Sequence, residues 1–221
     1  MNIYFVVEGR RTENKLYKKW VTYVHSNLKL VNSITDFTEN CFSIISGFGY
    51  PGYFEVIKNS IHDINKFKNI DYLFICVDSE EHSYSEKLNQ MEEFIEKECP
   101  PVNSGLVLIV QNHCIETWLM GNRKLNLSSA QNQELRKYRD FYDVNTLDPE
   151  NLTALDNRTI AQFTFDYLVL MLKEKGLTYS KSNVSAVNSK SYFRQLVKRF
   201  KEDNHIRSFG NLLHELKKIS T

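Results

Sequence analysis

Short, continuously apolar runs alternate with longer amphipathic stretches over the first 120 residues of this chain. The runs read as strands at about 2–7 (Ile3-Tyr4-Phe5-Val6-Val7), 40–46 (Cys41-Phe42-Ser43-Ile44-Ile45), 71–77 (Tyr72 to Val77) and 105–110 (Leu106 to Val110). They are apolar at successive positions rather than at alternate ones, as expected of strands covered on both faces of a parallel sheet. Between them, apolar positions recur at helical spacing. Leu16, Trp20, Val24 and Leu28 predict a helix over 11–29, and Phe54, Ile57, Ile61 and Ile64 one over 53–67. Leu88, Met91 and Ile95 predict a third. Ser83-Tyr84-Ser85-Glu86 has capping-box spacing at its start, and Pro100-Pro101 stop it. This is the signature of βαβ units, so the expected class is α/β: a parallel sheet of about four strands flanked by helices.

A short helix carrying Glu116, Trp118 and Leu119 follows the fourth strand, and after Gly121 the pattern changes. Residues 122–157 show no clear strand and read as irregular or partly helical. Helices follow at about 158–175, 189–203 and 206–219, with a Ser-rich connection from Tyr179 to Ser191. The expected organisation is a sheet domain over 1–121 and a mainly helical C-terminal extension over 122–221, packed on the first as one unit.

At 221 residues the chain is long enough to bury a full core. No apolar stretch approaches the roughly 20 residues that span a bilayer, and the opening run is too short for a secretory segment and leads straight into Glu8. A cytoplasmic protein with no membrane partner is the expectation. The four cysteines form no Cys-x-x-Cys pair, which argues against a structural zinc site or a disulfide framework. The net charge of +1 hides an asymmetry: residues 1–120 carry 11 Lys+Arg against 16 Asp+Glu, and residues 121–221 carry 17 against 11. Between 173 and 201, eight basic residues, Lys190, Arg194, Lys198 and Arg199 among them, face one acid, Glu174. Such a segment can attract a polyanion, and a solvated basic helix is the plain alternative.

The candidate chemistry sits where the strands end. Glu8 closes the first run, Asp78 and Glu80 close the third, and Glu116 follows the fourth after a short turn. The ends of parallel strands share one edge, where ligands bind, and carboxylates there favour a hard cation such as Mg²⁺ or Mn²⁺, one ion or two. Glu81 is a weaker fifth candidate. Each acid also has an ordinary reading: Glu8 as a helix-capping anion beside Gly9, Asp78 and Glu80 as loop acids, Glu116 as a first-turn helix acid. Arg10, Arg11 and Lys15, close to Glu8 in sequence, can meet a substrate phosphate or remain solvated. His113 reads as a turn residue capping the Glu116 helix, and Ser46-Gly47-Phe48-Gly49-Tyr50-Pro51-Gly52 as a turn, its spacing being neither a P-loop nor a dinucleotide fingerprint.

The order of these acids resembles the Toprim domain of topoisomerases, primases and OLD-family nucleases. More narrowly, Glu8-Gly9-Arg10-Arg11-Thr12-Glu13-Asn14-Lys15-Leu16-Tyr17 is similar to the EG-x-x-TE-x-x-Y opening of the RloB-like proteins. Asn112-His113-Cys114-Ile115-Glu116-Thr117-Trp118-Leu119 resembles their NP-C-F-E-x-W-L motif. The likeness covers roughly residues 2–120 and departs from the pattern at Glu80, which stands for a second Asp, and at His113, which stands for Pro. It implies a Toprim-like fold and a Mg²⁺-dependent nuclease of bacterial anti-phage defence, with Glu8, Asp78, Glu80 and Glu116 as catalytic metal ligands. The expected partners are nucleic acid (DNA or RNA, tRNA included), a co-encoded ATPase, since a chain of this size carries no ATPase domain of its own, and a second copy of the chain. Two other readings stand beside it: an effector subunit with little activity until a partner binds, and a flavodoxin-like domain for a small phosphorylated ligand.

Overall fold

The computed structural model describes residues 1–125 and 131–219. Its sheet has five parallel strands in the order β2-β3-β1-β4-β5: β1 (Ile3–Val7), β2 (Lys29–Leu30), β3 (Cys41–Ser46), β4 (Tyr72–Asp78) and β5 (Gly105–Gln111). The four expected strands are present. The fifth, β2, is an edge strand of two exposed residues with Lys29 in register with Cys41, too short and too polar to leave an apolar run. β1 sits between β3 and β4, with Val7 level with Ser46 on one side and Cys76 on the other.

The chain divides into two compact units whose bounds differ from 1–121 and 122–221. The first comprises Met1–Val77, Tyr84–Val110 and Glu215–Thr221; the second comprises Asp78–Ser83 and Gln111–His214. The short segment after β4 and the segment from Gln111 onward, expected with the sheet, therefore belong to the helical unit.

In the first unit, helices cover the sheet on both faces. Phe5 meets Tyr17 and Phe74 on the side of α1 (Thr12–Val24), with ring centroids 6.1 and 4.8 Å apart. On the other side Tyr4, Val6, Leu73, Ile75 and Val110 pack with Ile57, Ile61 and Ile64 of α2 (Gly52–Phe67) and Met91 of α3 (Tyr84–Glu98). Truncating any of these fully buried aliphatic side chains to Ala costs about 2–5 kcal/mol. α1 ends at Val24, five residues short of expectation. His25 leaves helical geometry there, and its N–H donates to Val21 O. Leu28 is buried but lies beyond the helix, so its apolar character extended the periodicity past the true end.

The second unit holds α4 (Ile115–Leu119), α5 (Gln133–Phe141), α6 (Ile160–Glu174), α7 (Lys190–Asp203) and most of α8 (Arg207–Lys218). Three of these begin on a side-chain cap: Asn132 accepts from Leu135 N–H, Ser189 from Tyr192 N–H, and Thr159 forms a capping box with Gln162. The core rests on edge-to-face aromatic pairs, among them Trp118–Phe209 at 5.6 Å and Tyr138–Phe163 at 4.8 Å. Of the stretch 122–157, residues 126–130 lie outside the described residues; α5 and short 3₁₀ turns account for the ordered part of the rest. Among the described residues no helix is long and apolar enough to cross a membrane.

Candidate functional site

In the first unit the end of β1 is fixed by its neighbours. Glu8 N–H donates to Cys76 O at 2.9 Å, Gly47 N–H to Val7 O at 2.7 Å, and Gly49 N–H to Glu8 O at 3.1 Å. The Glu8 side chain is buried, 6% exposed. Gly9 follows, and the carboxylate of Glu13 packs against it where a Cβ would otherwise stand. Glu13 is itself buried in the first turn of α1, where the helix dipole favours an anion. It is a second buried acid at this strand end, which the sequence reading passed over although Glu13 lies within the Glu8-Gly9-x-x-Thr12-Glu13 pattern. Arg10, Arg11 and Lys15 are exposed, and the Arg10 guanidinium lies 5.4 Å from the centroid of the Phe48 ring.

In the second unit, the turn after β4 and the turn after β5 are stitched together. Ser79 N–H donates to Gln111 O and Glu80 N–H to His113 O, both at 2.9 Å, while Ser79 Oγ accepts from His113 N–H at 2.8 Å. Glu80 and His113 face each other with left-handed backbones (φ 54° and 62°), a conformation that non-glycine residues hold only when their surroundings impose it. His113 does not cap α4, contrary to expectation. Cys114 occupies the N-cap position without a side-chain cap, and His113 Nδ1 instead pairs with Glu80 O at 2.9 Å.

Two of the expected acids act on Cys114 through their charge. Its buried thiol has a pKa well above the ordinary value, owing first to burial, then to the Glu116 charge and then to that of Asp78. Asp78 is half-buried at the end of β4; Glu116 is buried in the first turn of α4, and its Oε1 accepts the Tyr179 O–H at 2.9 Å. Tyr179 comes from the Ser-rich connection, and nothing in the sequence marks it. The Glu80 side chain is exposed. Glu81 has a structural task, because its carboxylate accepts Ile160 N–H at 2.7 Å in the first turn of α6.

The basic helix needs one correction. Lys190, Arg194 and Lys198 are exposed on α7, with Lys198 3.7 Å from Glu202. Arg199 faces inward: it is 1% exposed, and its guanidinium donates to Val144 O, Asn145 O and Leu147 O at 2.7–2.9 Å. Arg199 therefore cannot track a nucleic-acid backbone. It closes the loop after α5 against α7, and its sequence position hid this because basic composition masked the register. Tyr192, Leu196 and Arg199 follow the i, i+4, i+7 stripe that faces the core.

Asp78 and Glu116 offer oxygen donors of the kind a hard divalent ion takes. Mg²⁺ keeps several waters and commonly uses only one or two protein carboxylates, so the pair fits in kind and number. Among the described residues no three His, Cys, Asp or Glu side chains are grouped as a ready-made metal cage. Compared with protein-family models, with characterised proteins and with solved structures, the chain finds no match.

Proposed function

We propose that this chain is a Mg²⁺- or Mn²⁺-dependent nuclease of Toprim-like type, a cytoplasmic effector of bacterial anti-phage defence that hydrolyses phosphodiester bonds in nucleic acid. The observation that carries the reading is the placement of two acids in the turns that follow neighbouring strands: Asp78 at the end of β4, and Glu116 buried in the first turn of α4 just after β5, with the two turns hydrogen-bonded to each other. In the first unit, Glu8 is a further buried acid that closes a strand, β1.

Asp78 and Glu116 would hold the ion. When bound, it supplies charge neutralisation at the phosphoryl oxygens and a more acidic water. Tyr179 steadies Glu116 by donating to Oε1, leaving the other carboxylate oxygen for a cation. Burial first, then the charges of Glu116 and Asp78, raise the pKa of the Cys114 thiol, which opposes its ionisation. Exposed Arg10, Arg11, Lys15, Lys190, Arg194 and Lys198 provide the positive charge that a phosphate backbone seeks; contacts of this kind position a strand without reading its bases.

The test is cleavage of plasmid DNA and of total RNA by the purified protein with Mg²⁺ or Mn²⁺, beside Asp78→Asn, Glu116→Gln and Glu8→Ala. The expected result is metal-dependent cleavage that each variant reduces by 100-fold or more while its melting curve stays cooperative. Equal cleavage by wild type and Glu116→Gln would remove the assignment.

A further inference from the structure

In the first unit two large apolar side chains on one loop are left in water. Phe48 and Tyr50 are 65% and 60% exposed, more than any other large hydrophobic side chain among the described residues. They stand two positions apart on the loop from Ser46 to Gly52 that joins β3 to α2. The loop is held from several directions. Phe48 N–H donates to Ser46 Oγ at 3.1 Å, Gly49 N–H to Glu8 O at 3.1 Å, and Tyr53 N–H to Gly49 O at 3.0 Å. Phe48 carries a left-handed backbone, φ 65°, which a bulky residue adopts only under constraint. Gly47 packs so tightly that a Cβ would strike the Cβ of Tyr53.

The rings are also set among cations. Arg10 lies over Phe48, at 5.4 Å from its centroid. Behind Tyr50 is Lys87, 2% exposed, its Nζ 5.8 Å from the Tyr50 centroid and 5.4 Å from that of Tyr53, and donating to Tyr53 Oη at 3.0 Å. Among the described residues Lys87 has no ion pair; its contacts are these two rings and the Tyr53 hydroxyl. Tyr50 is further supported by Tyr53 and Phe54, at 6.1 and 5.9 Å between centroids.

We infer that Phe48 and Tyr50 form a stacking platform for an unpaired stretch of nucleic acid, with the exposed Arg10 drawing its phosphates and Lys87 bracing the Tyr50 ring from below. This rests on the reading of the chain as acting on nucleic acid and names the form of that substrate: single-stranded. Exposed aromatic faces flanked by cations suit a strand whose bases are free to stack, whereas a duplex keeps its base faces covered. Because the loop is pinned before binding, little conformational entropy remains to be lost when a base stacks on it. An apolar protein partner would use the rings and gain nothing from the exposed Arg10; the charge favours the polyanion.

Fluorescence anisotropy in EDTA, with a labelled oligothymidine and with a duplex of the same length, tests this separately from cleavage. Wild type is expected to bind the single strand at least tenfold more tightly than the duplex. Phe48→Asn, which suits the left-handed backbone, and Tyr50→Ser should each weaken single-strand binding about tenfold or more. Phe48→Trp should keep it. Equal affinity for both forms, unchanged affinity in the two ring-deleted variants, or no oligonucleotide binding at all would overturn the platform. So would self-association of wild type by light scattering that Phe48→Asn abolishes while oligonucleotide binding persists. Ring-dependent binding without cleavage in Mg²⁺ would leave the platform standing and remove the nuclease; cleavage with silent rings would do the reverse.

Discussion

Tyr179 places its phenolic oxygen 2.9 Å from Glu116 Oε1, a buried contact between side chains 63 positions apart. A hydrogen bond to a charged, buried group is worth about 1.5–3 kcal/mol, and a group that orients a metal ligand commonly alters ion affinity 10–100-fold. Tyr179→Phe keeps the ring and removes only the O–H. It should lower unfolding stability by about 1.5–3 kcal/mol in urea and weaken Mn²⁺ binding by isothermal calorimetry at least tenfold. Unchanged Mn²⁺ affinity with lowered stability would make Tyr179 a purely structural partner of Glu116.

Arg199 is the clearest case of a basic residue spent inside the protein. Its guanidinium satisfies three backbone carbonyls between Val144 and Leu147 and also donates to His205 Nδ1 at 3.1 Å. Arg199→Ala leaves those oxygens without donors and should destabilise the protein by about 3–5 kcal/mol. Arg199→Lys should recover little, because one ammonium cannot reproduce the planar fork. Arg194→Ala, on the exposed side of the same helix, should change stability by less than about 0.5 kcal/mol while weakening nucleic-acid binding and its salt dependence. Urea denaturation and salt-titrated anisotropy separate the two effects.

These contacts mark how far the chain could be read without coordinates. β1, β3, β4 and β5 were legible because a strand buried on both faces must be apolar throughout, and strand ends follow once a run meets an acid. Glu8 and Asp78 were therefore placed at strand ends from sequence alone. β2 was not legible, since two exposed residues carry no burial signal. Tyr179 was out of reach for another reason: its bond to Glu116 joins distant segments, and a tyrosine in a Ser-rich connection has no local pattern that names its partner. The Phe48–Tyr50 loop was read as a turn, which it is; its use depends on exposure and on Arg10 and Lys87, which only packing reveals.

Glu150 gives the second unit a pH dependence that can be measured. Its carboxylate accepts from the backbone N–H and the hydroxyl of Ser208, whose Oγ also receives Trp118 Nε1–H at 2.6 Å and Asn112 N–H at 3.1 Å. The hydroxyl thus uses its one donor and both acceptor positions. Burial is the largest influence on Glu150 and pushes its pKa up to about 7, with the Ser208 hydrogen bonds pulling the other way. An acid whose folded pKa lies above its unfolded value binds more protons when folded, so stability falls as pH rises between the two values. The window here runs from the ordinary glutamate range, near pH 4.5, to about pH 7, and the full effect is on the order of 3 kcal/mol. Glu150→Gln keeps an acceptor for Ser208 and removes the titration. Urea denaturation at pH 5 and pH 7.5 should show the wild type losing up to about 3 kcal/mol relative to Glu150→Gln across that interval. A constant offset between the two proteins at both pH values would mean that Glu150 is ionised throughout, and that Ser208 stabilises its charge more than burial opposes it.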